Sequence, residues 1–511
     1  MFSYVSDSLP SWATITNGLV AWLVTLAIYR LYLHPLARAG FPGPRLAAVT
    51  TWYEAYFDVF LQGQYIFQIE RMHQKYGPIV RIGPNELHVL DHEYYDKLYN
   101  MSNRLDKSAY FYCMLGNPKA SFGTIPAHLH RLRRSALSPF FSQQAVSRFS
   151  YNVQSIVDRL ITRMEKCAER GEPVPLFYAY RCVTVDIITE YIFGHQFNLL
   201  DRPDWGKEFY SAWRSLWELS PTIRQFPSMM DAFMAMPRWL TALVNPKALE
   251  VVDLFASVDD QTKKLLSANP VEIESKRHPI VVWELSKTDA LPPNEKTLDR
   301  LSVEANGLLA AGFETTGGVL SHVTYLILAH PDAHRKLFAE LVDAIPHPTR
   351  IPSFQQLEKL PFLRGVVKEG LRLSVGAWSR LPRVNPNEDM HYKNWVVPAG
   401  TAIGMSALFI EKSPILFPDP EAFIPERWIE GTVGENRLDQ YILTFGKGTR
   451  SCVGINLAYA ELYTILATLF RRFPDIRLHE TSFRDVEHVH DYFAGMTRRE
   501  SQGLQVMTGK N

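Results

Sequence analysis

The densest apolar stretch lies near the front of the chain. Residues 12 to about 33 are mostly apolar, most tightly so over 19–29, with Thr14, Thr16 and Asn17 as interruptions. About 20 such residues cross the hydrocarbon core of a bilayer. A buried amphipathic helix is the alternative reading of the same pattern. One acid, Asp7, and no base precede the run, whereas Arg30, Arg38 and Arg45 follow it. A cleaved leader carries its bases in front. The asymmetry predicts a single-pass anchor over 12–33, a short lumenal tail at 1–11 and a cytosolic body. Phe41-Pro42-Gly43-Pro44 predicts a stiff, non-helical hinge over 34–46, which leaves 47–511 as the body.

Within the body, loose alternation over residues 80–90 with a turn predicts a small sheet. Residues 128–141 read as a basic helix ended by Pro139, with His130 and Arg134 four apart on one face. Its run of Arg131, Arg133 and Arg134 also suits a plain solvated face. From 151 to about 294 the pattern is helical, broken by Pro173, Pro203, Pro221, Pro227, Pro237, Pro246 and Pro279. Within it, 205–243 concentrates Trp205, Trp213, Trp217 and Trp239 with Phe226, Phe233 and several methionines. Such a stripe is ordinarily core, and its soft side chains also suit a mobile lid over an apolar cavity.

Residues 301–330 read as one long helix, with Leu308, Ala311, Gly312, Thr315 and Val319 on one face. Its middle, Ala311-Gly312-Phe313-Glu314-Thr315-Thr316, places Gly and Thr where helix interiors disfavour them. That calls for a reason, either a kink made for packing or a chemical one. A hydroxyl and a carboxyl side by side can bond water and deliver protons. Glu369 and Arg372, three apart among apolar neighbours, predict a buried ion pair.

Composition narrows the picture only by exclusion. The 511 residues are 46% hydrophobic and 21% charged with a formal net charge of +1, a globular balance with no sign of a nucleic-acid partner. Cys113, Cys167, Cys182 and Cys452 form no C-x-x-C pair, which argues against a disulfide framework or a structural zinc site.

The chemistry concentrates in Phe445-Gly446-Lys447-Gly448-Thr449-Arg450-Ser451-Cys452-Val453-Gly454. Glycines let the backbone turn sharply and approach a flat ligand. Arg450 offers a fork of donors suited to a carboxylate. The loop runs into an apolar segment, 455–470, so Cys452 lies near a helix N-terminus, where partial positive charge favours the thiolate. A thiolate held this way is a proximal ligand for haem iron. Most lone cysteines beside a Gly-rich turn are inert. Phe, Gly, Arg, Cys and Gly at these fixed offsets, however, arise by chance with probability ~10⁻⁴ in a chain this long. A dinucleotide loop, Gly446-x-Gly448-x-x-Ser451, is excluded because no strand leads in and the last glycine is missing.

The pattern F-x-x-G-x-R-x-C-x-G resembles the haem-binding signature of the cytochrome P-450 monooxygenases. Anchor, hinge, basic helix, Gly/Glu/Thr helix, E-x-x-R, Pro425-Glu426-Arg427 and cysteine loop also follow in that family's order. The resemblance implies a mainly α fold with small β-sheets and haem b bound through Cys452, with Phe445 and Arg450 beside it. It implies propionate contacts from His130 and Arg134, and a second from Arg383 with Arg380 as fallback. Thr315 and Glu314 would deliver protons, with the small pair Ala311-Gly312 leaving a groove for dioxygen. Glu369, Arg372 and Arg427 would lock the fold without doing chemistry, and Trp428 stands where phenylalanine is commoner. Ala311, Trp378 and Phe493 would border the substrate, with 205–243 as the lid.

The phrases at 82–89, 455–463 and 490–493 are similar to those of the filamentous-fungal branch that serves secondary metabolism, trichodiene oxygenase and its relatives. That implies an apolar, terpenoid substrate, O₂ as oxidant and an endoplasmic-reticulum membrane location. Electrons would come from NADPH through a separate reductase docking near Lys447, Arg471 and Arg472. A same-fold isomerase or peroxygenase, and a non-catalytic haem sensor, are the alternatives, and neither needs the acid–alcohol pair.

Overall fold

The computed structural model describes residues 12–113, 118–244, 246–430 and 438–509; the expected tail at 1–11 lies outside them. Helix α1, Trp12–Ile28, has no buried residue and continues through a wider π turn, Tyr29–Leu33. The run is long and apolar enough to cross a membrane and almost none of it packs against the body, which disposes of the buried-helix alternative. The hinge is docked rather than free. Pro42 accepts the Arg81 N–H at 2.7 Å, and Phe41 stacks on Trp395 with ring centroids 4.7 Å apart. Gly43 is required there, since a Cβ would lie 2.3 Å from the Arg81 carbonyl oxygen.

The expected small sheet forms from β1, Ile79–Gly83, and β2, Glu86–Val89, paired antiparallel. It gains strands far away in sequence: β3, Asp106–Lys107; β4, Arg383–Val384; and β5, Ala402–Gly404. The order is β1-β2-β5-β4-β3, with β2 and β5 parallel, Glu86 facing Ala402. This sheet carries Lys107 and Arg383 on neighbouring strands, in register with each other. A hairpin of β6, His488–Tyr492, and β7, Ala494–Thr497, holds Phe493 at its tip.

The rest is mainly helical. The helices that matter here are α2, Ala127–Leu137; α3, Gln143–Arg170; α4, Leu176–Phe193; α5, Lys207–Gln225; and α6, Pro246–Leu266. After them come α7, Leu298–Ala329; α8, Pro361–Ser374; and α9, Ile455–Arg472. Helix α4 is buried on every face apart from Tyr178, as its continuous apolar sequence requires. Helix α7 runs through the centre and packs on α4, α8 and α9. Gly312 explains part of that packing. A Cβ there would lie 2.9 Å from the Ile188 side chain, so this glycine brings α7 against α4, while Ala311 beside it is exposed.

Candidate active site

Glu369 of α8, itself fully buried, is the hub of a hydrogen-bonded network. Arg372 grips it with two parallel bonds of 2.9 and 2.8 Å, and Arg427 Nε donates at 3.0 Å. Trp428 Nε1 adds a fourth bond to Glu369 Oε2 at 2.8 Å. The change from phenylalanine to tryptophan therefore supplies a donor that a phenyl ring lacks. Arg372 also donates to the Glu411 and Pro420 carbonyls at 2.9 and 2.7 Å. The Glu411 carboxylate in turn accepts the Leu443 and Thr444 N–H groups at 2.5 and 2.9 Å, immediately before the cysteine loop. Burial pushes Glu411 up to about 8, with those N–H bonds opposing. Sequence reading found 369, 372 and 427 but not Glu411, because only the fold brings its carboxylate under the loop.

In the loop, Cys452 N–H donates to the Phe445 carbonyl at 2.8 Å, and the Phe445 ring packs on Tyr459 at 5.2 Å. Arg134 donates to the Ser451 carbonyl at 2.7 Å and the Cys452 carbonyl at 3.4 Å, with Nε on Ser138. Its fork thus braces the loop backbone, a different use from the predicted propionate contact. Cys452 is exposed. The protein packed around its sulfur raises the thiol, while the Gly454 N–H and the Arg134 guanidinium act in the direction expected of the loop and lower it. A bound cation is what deprotonates such a sulfur.

Three buried bases from distant parts of the chain, Lys107, His130 and Arg383, gather beside the half-buried Arg450 of this loop. Arg450 donates to the Thr124 and Ile125 carbonyls at 2.5 and 2.8 Å, while its buried Nε has no partner among the described residues. Arg383 donates to the Tyr112 hydroxyl at 2.9 Å. Lys107 Nζ donates to the Phe122 carbonyl at 2.5 Å and lies 4.1 and 3.9 Å from the centroids of the Tyr112 and Phe122 rings. Burial, reinforced by Arg450, Lys107, Arg134 and Arg383, pushes His130 down to about 2. Burial lowers Lys107 too, with Arg383 and Arg450 adding to it. Asp106, the carboxylate that acts on Arg450, is itself accepting the Ala127 N–H at 2.7 Å. Uncompensated buried charge of one sign is costly. A dianionic group with a face open to sulfur relieves it, and the two propionates and iron of haem match that description. The residues fit the cofactor. Lys107 was missed in the sequence, where nothing marks a single lysine two residues into a strand pair.

On α7, Thr315 donates its hydroxyl to the Ala311 carbonyl at 2.8 Å on an exposed side of the helix. Glu314 points elsewhere. Its carboxylate is buried in a two-point ion pair with Arg181 of α4, at 3.0 and 2.5 Å. The predicted acid–alcohol pair is thus split, with the acid neutralised by a guanidinium. A different carboxyl reaches this stretch. Glu461 of α9 bonds Thr316, and burial raises it well above the carboxylate range with Oε2 buried and without a partner among the described residues. The sequence gives Glu461 no role, because an acid in a helix does not announce its burial.

Of the other expected pocket residues, Phe493 meets Phe122 and Trp217 at ring distances of 5.6 and 6.3 Å, beside the buried pair Phe111 and Tyr112. Trp378 is packed: its Nε1 donates to the Ser374 carbonyl at 3.2 Å, and its ring meets Phe67 and His488. Arg380 is held by Glu86 at 2.6 Å and Glu54 at 2.7 Å, so the fallback propionate contact is committed elsewhere. Lys447 pairs with Asp96 at 2.6 Å, Arg472 pairs with Glu165, and Arg471 bonds the Ile345 and Pro346 carbonyls.

The sequence profile described as Cytochrome P450 matches residues 50–500. Cytochrome P450 monooxygenase MO6277 of Ascocoryne sarcoides is 37% identical over 97% of this chain and 98% of its own. Tryptophan 6-hydroxylase fscE of Fusarium equiseti is 37% identical over 98% and 97%. Conidiogenone synthase PchP450 of Penicillium rubens is 36% identical over 96% and 97%. With a mainly helical fold, a cysteine loop locked to a buried Glu/Arg network and a nest of bases that fits haem b, the chain belongs to the cytochrome P450 family of monooxygenases.

Proposed function

We propose that this protein is a membrane-anchored monooxygenase that places one oxygen atom of O₂ on an apolar secondary-metabolite intermediate of terpenoid type. The anchor would be 12–33 in the endoplasmic reticulum, with the hinge and the body from 47 onward on the cytosolic side. The observation that carries the haem reading is the nest of Lys107, His130, Arg383 and Arg450 beside Cys452. Cys452 Sγ would hold the haem iron, and haem bound through a thiolate would supply the O–O cleavage chemistry of the family. Arg450 Nε, Lys107 Nζ, Arg383 and His130 would hold the propionates, with Arg134 bracing the loop from behind. Because the Thr315 hydroxyl proton is spent on Ala311, its oxygen remains an acceptor for a water donating toward the open side. Glu461, kept neutral, holds a proton next to Thr316, and the Glu314–Arg181 pair fixes α7 on α4.

Carbon monoxide added to the reduced protein tests the ligand. A red-shifted Soret band that disappears in Cys452→Ala is expected, and its persistence in that variant refutes the assignment. Terpenoid chemistry rests on the likeness to trichodiene oxygenase. A second reading, an aromatic substrate, is favoured by the aromatic cluster of Phe111, Phe122, Trp217 and Phe493 and by relatives named as tryptophan 6-hydroxylase and N-acetyltryptophan 6-hydroxylase. Product analysis with terpene hydrocarbons against N-acetyltryptophan separates the two. Electrons from NADPH would arrive through a separate reductase. Reversing Lys447, Arg471 and Arg472 together tests this docking side, with slower reduction and unchanged substrate binding expected.

A further inference from the structure

The lid helix α5 ends in a buried charge cluster that the oxygen chemistry does not use. Arg224, in its last turn, bonds Glu54 directly and Asp58 Oδ2 at 3.1 Å. Gln225 donates to the Tyr110 hydroxyl at 2.8 Å, and that hydroxyl donates to Glu54 Oε2 at 3.0 Å. The receiving side is a rigid frame. Asp58 Oδ1 accepts the Tyr65 N–H at 3.0 Å, and the Gly63 carbonyl accepts the Asp491 N–H at 2.9 Å. Gln64 bonds the Val489 carbonyl at 2.7 Å, which ties 58–65 to the hairpin whose tip is Phe493. Arg380 closes the cluster by bridging Glu54 and Glu86.

The charges do not balance. Glu54, Asp58, Glu86 and Asp491 are all buried and share two guanidinium groups, Arg224 and Arg380. Two acids can therefore ionise without leaving net charge inside, and the other two are strained toward the neutral form. The partition is uneven. Burial raises Glu54, but Arg380 and Arg224 override it and hold Glu54 well below the carboxylate range. Burial pushes Asp58 up to about 7, Arg224 opposes, and Glu54 and Asp491 reinforce the rise. Asp491 is raised as well, by burial. Tyr65, Tyr110, Tyr492 and Cys113, which also face the cluster, are pushed up by burial and stay neutral, and burial lowers His88, which stays neutral too.

We propose that this cluster is a proton-linked clasp on the lid: withdrawing Arg224 and the end of α5 opens a route past Tyr110 and Phe493, hydrates Asp58 and releases its proton. The closed form has the higher carboxyl pKa. Its advantage is complete below the ordinary carboxylate range, declines as pH rises, and is lost by about 7. Opening is thus favoured by rising pH up to neutrality and levels off beyond it, with a slope of at most about tenfold per pH unit.

The test uses the full-length, haem-loaded protein in lipid nanodiscs. Its probe is a bulky triazole that ligates haem iron and stays uncharged across the range, tebuconazole, mixed by stopped flow and read at the Soret band. The wild-type on-rate is expected to climb at least about fivefold from about pH 5.5 to about pH 7 and then flatten. Asp58→Asn should stay slow with no pH dependence, and Arg224→Gln should be fast throughout. Carbon monoxide, small enough to enter without the lid moving, should show no such profile. A flat wild-type profile overturns the proposal without any variant, and so does an Asp58→Asn protein that keeps the wild-type profile. The reduced carbon-monoxide band checks that each variant is folded. Should Arg224→Gln lack that band, the wild-type and Asp58→Asn profiles decide.

Discussion

Trp428→Phe restores the residue commoner in the family and isolates one hydrogen bond. The indole N–H donates at 2.8 Å to Glu369 Oε2, which keeps Arg372 Nε at 2.9 Å after the substitution. The acceptor is not orphaned, so the loss is a charged hydrogen bond of about 1.5–3 kcal/mol rather than a full desolvation penalty. Trp428 is 2% exposed, so the smaller ring also leaves a partly collapsed gap. We expect about 2 kcal/mol in total. Unfolding that releases a cofactor is read as a rate. The half-life of the reduced carbon-monoxide band at a fixed elevated temperature should shorten by up to about thirtyfold. Turnover per haem at lower temperature should be unchanged, because no part of the network touches substrate. A half-life within twofold of wild type would show that the indole N–H contributes nothing. A fall in turnover per haem would show that the network does more than hold the loop.

Three further outcomes follow from the same geometry. Lys107→Met removes one of the four bases proposed to hold the propionates and should weaken haem retention at least about tenfold, measured by haem transfer to apomyoglobin, with secondary structure by circular dichroism unchanged. Glu461 is raised in the folded chain, so its stabilisation is complete below the ordinary carboxylate pKa and is lost progressively as pH rises. Glu461→Gln should therefore gain thermal stability relative to wild type as the pH goes from about 5 to about 8, and a constant difference across that window would show that Glu461 is ionised. Glu314→Ala strands the Arg181 guanidinium and should cost about 3–5 kcal/mol, seen as loss of carbon-monoxide-active protein on expression, with Glu314→Gln recovering part of it.

Much of the site was legible because its residues are bound to local patterns. The Cys452 loop, the Glu369–Arg372 spacing and the long helix around Thr315 are each short-range signals, and each occupies the element expected for it. Local patterns said less where a residue's partner lies far off in sequence. Glu314 looked like half of a proton relay because its neighbour is Thr315, yet its carboxylate belongs to Arg181 on another helix. Gly312 looked like part of a groove and serves the approach of α7 to Ile188. Arg134 has the spacing of a propionate ligand and bonds the cysteine-loop carbonyls.

The chain's order of motifs determined the family, the fold class and the apolar front helix. All of these are carried by periodicity or by fixed offsets within about 20 residues, the range over which backbone geometry alone relates side chains. Only the tertiary structure decided which charges meet. Lys107 beside Arg450, Glu411 beneath Leu443, Trp428 on Glu369 and Arg224 between Glu54 and Asp58 join segments that no local pattern relates. Burial then set their protonation, since removing water makes a charge depend on its nearest partner and not on its neighbours in the chain.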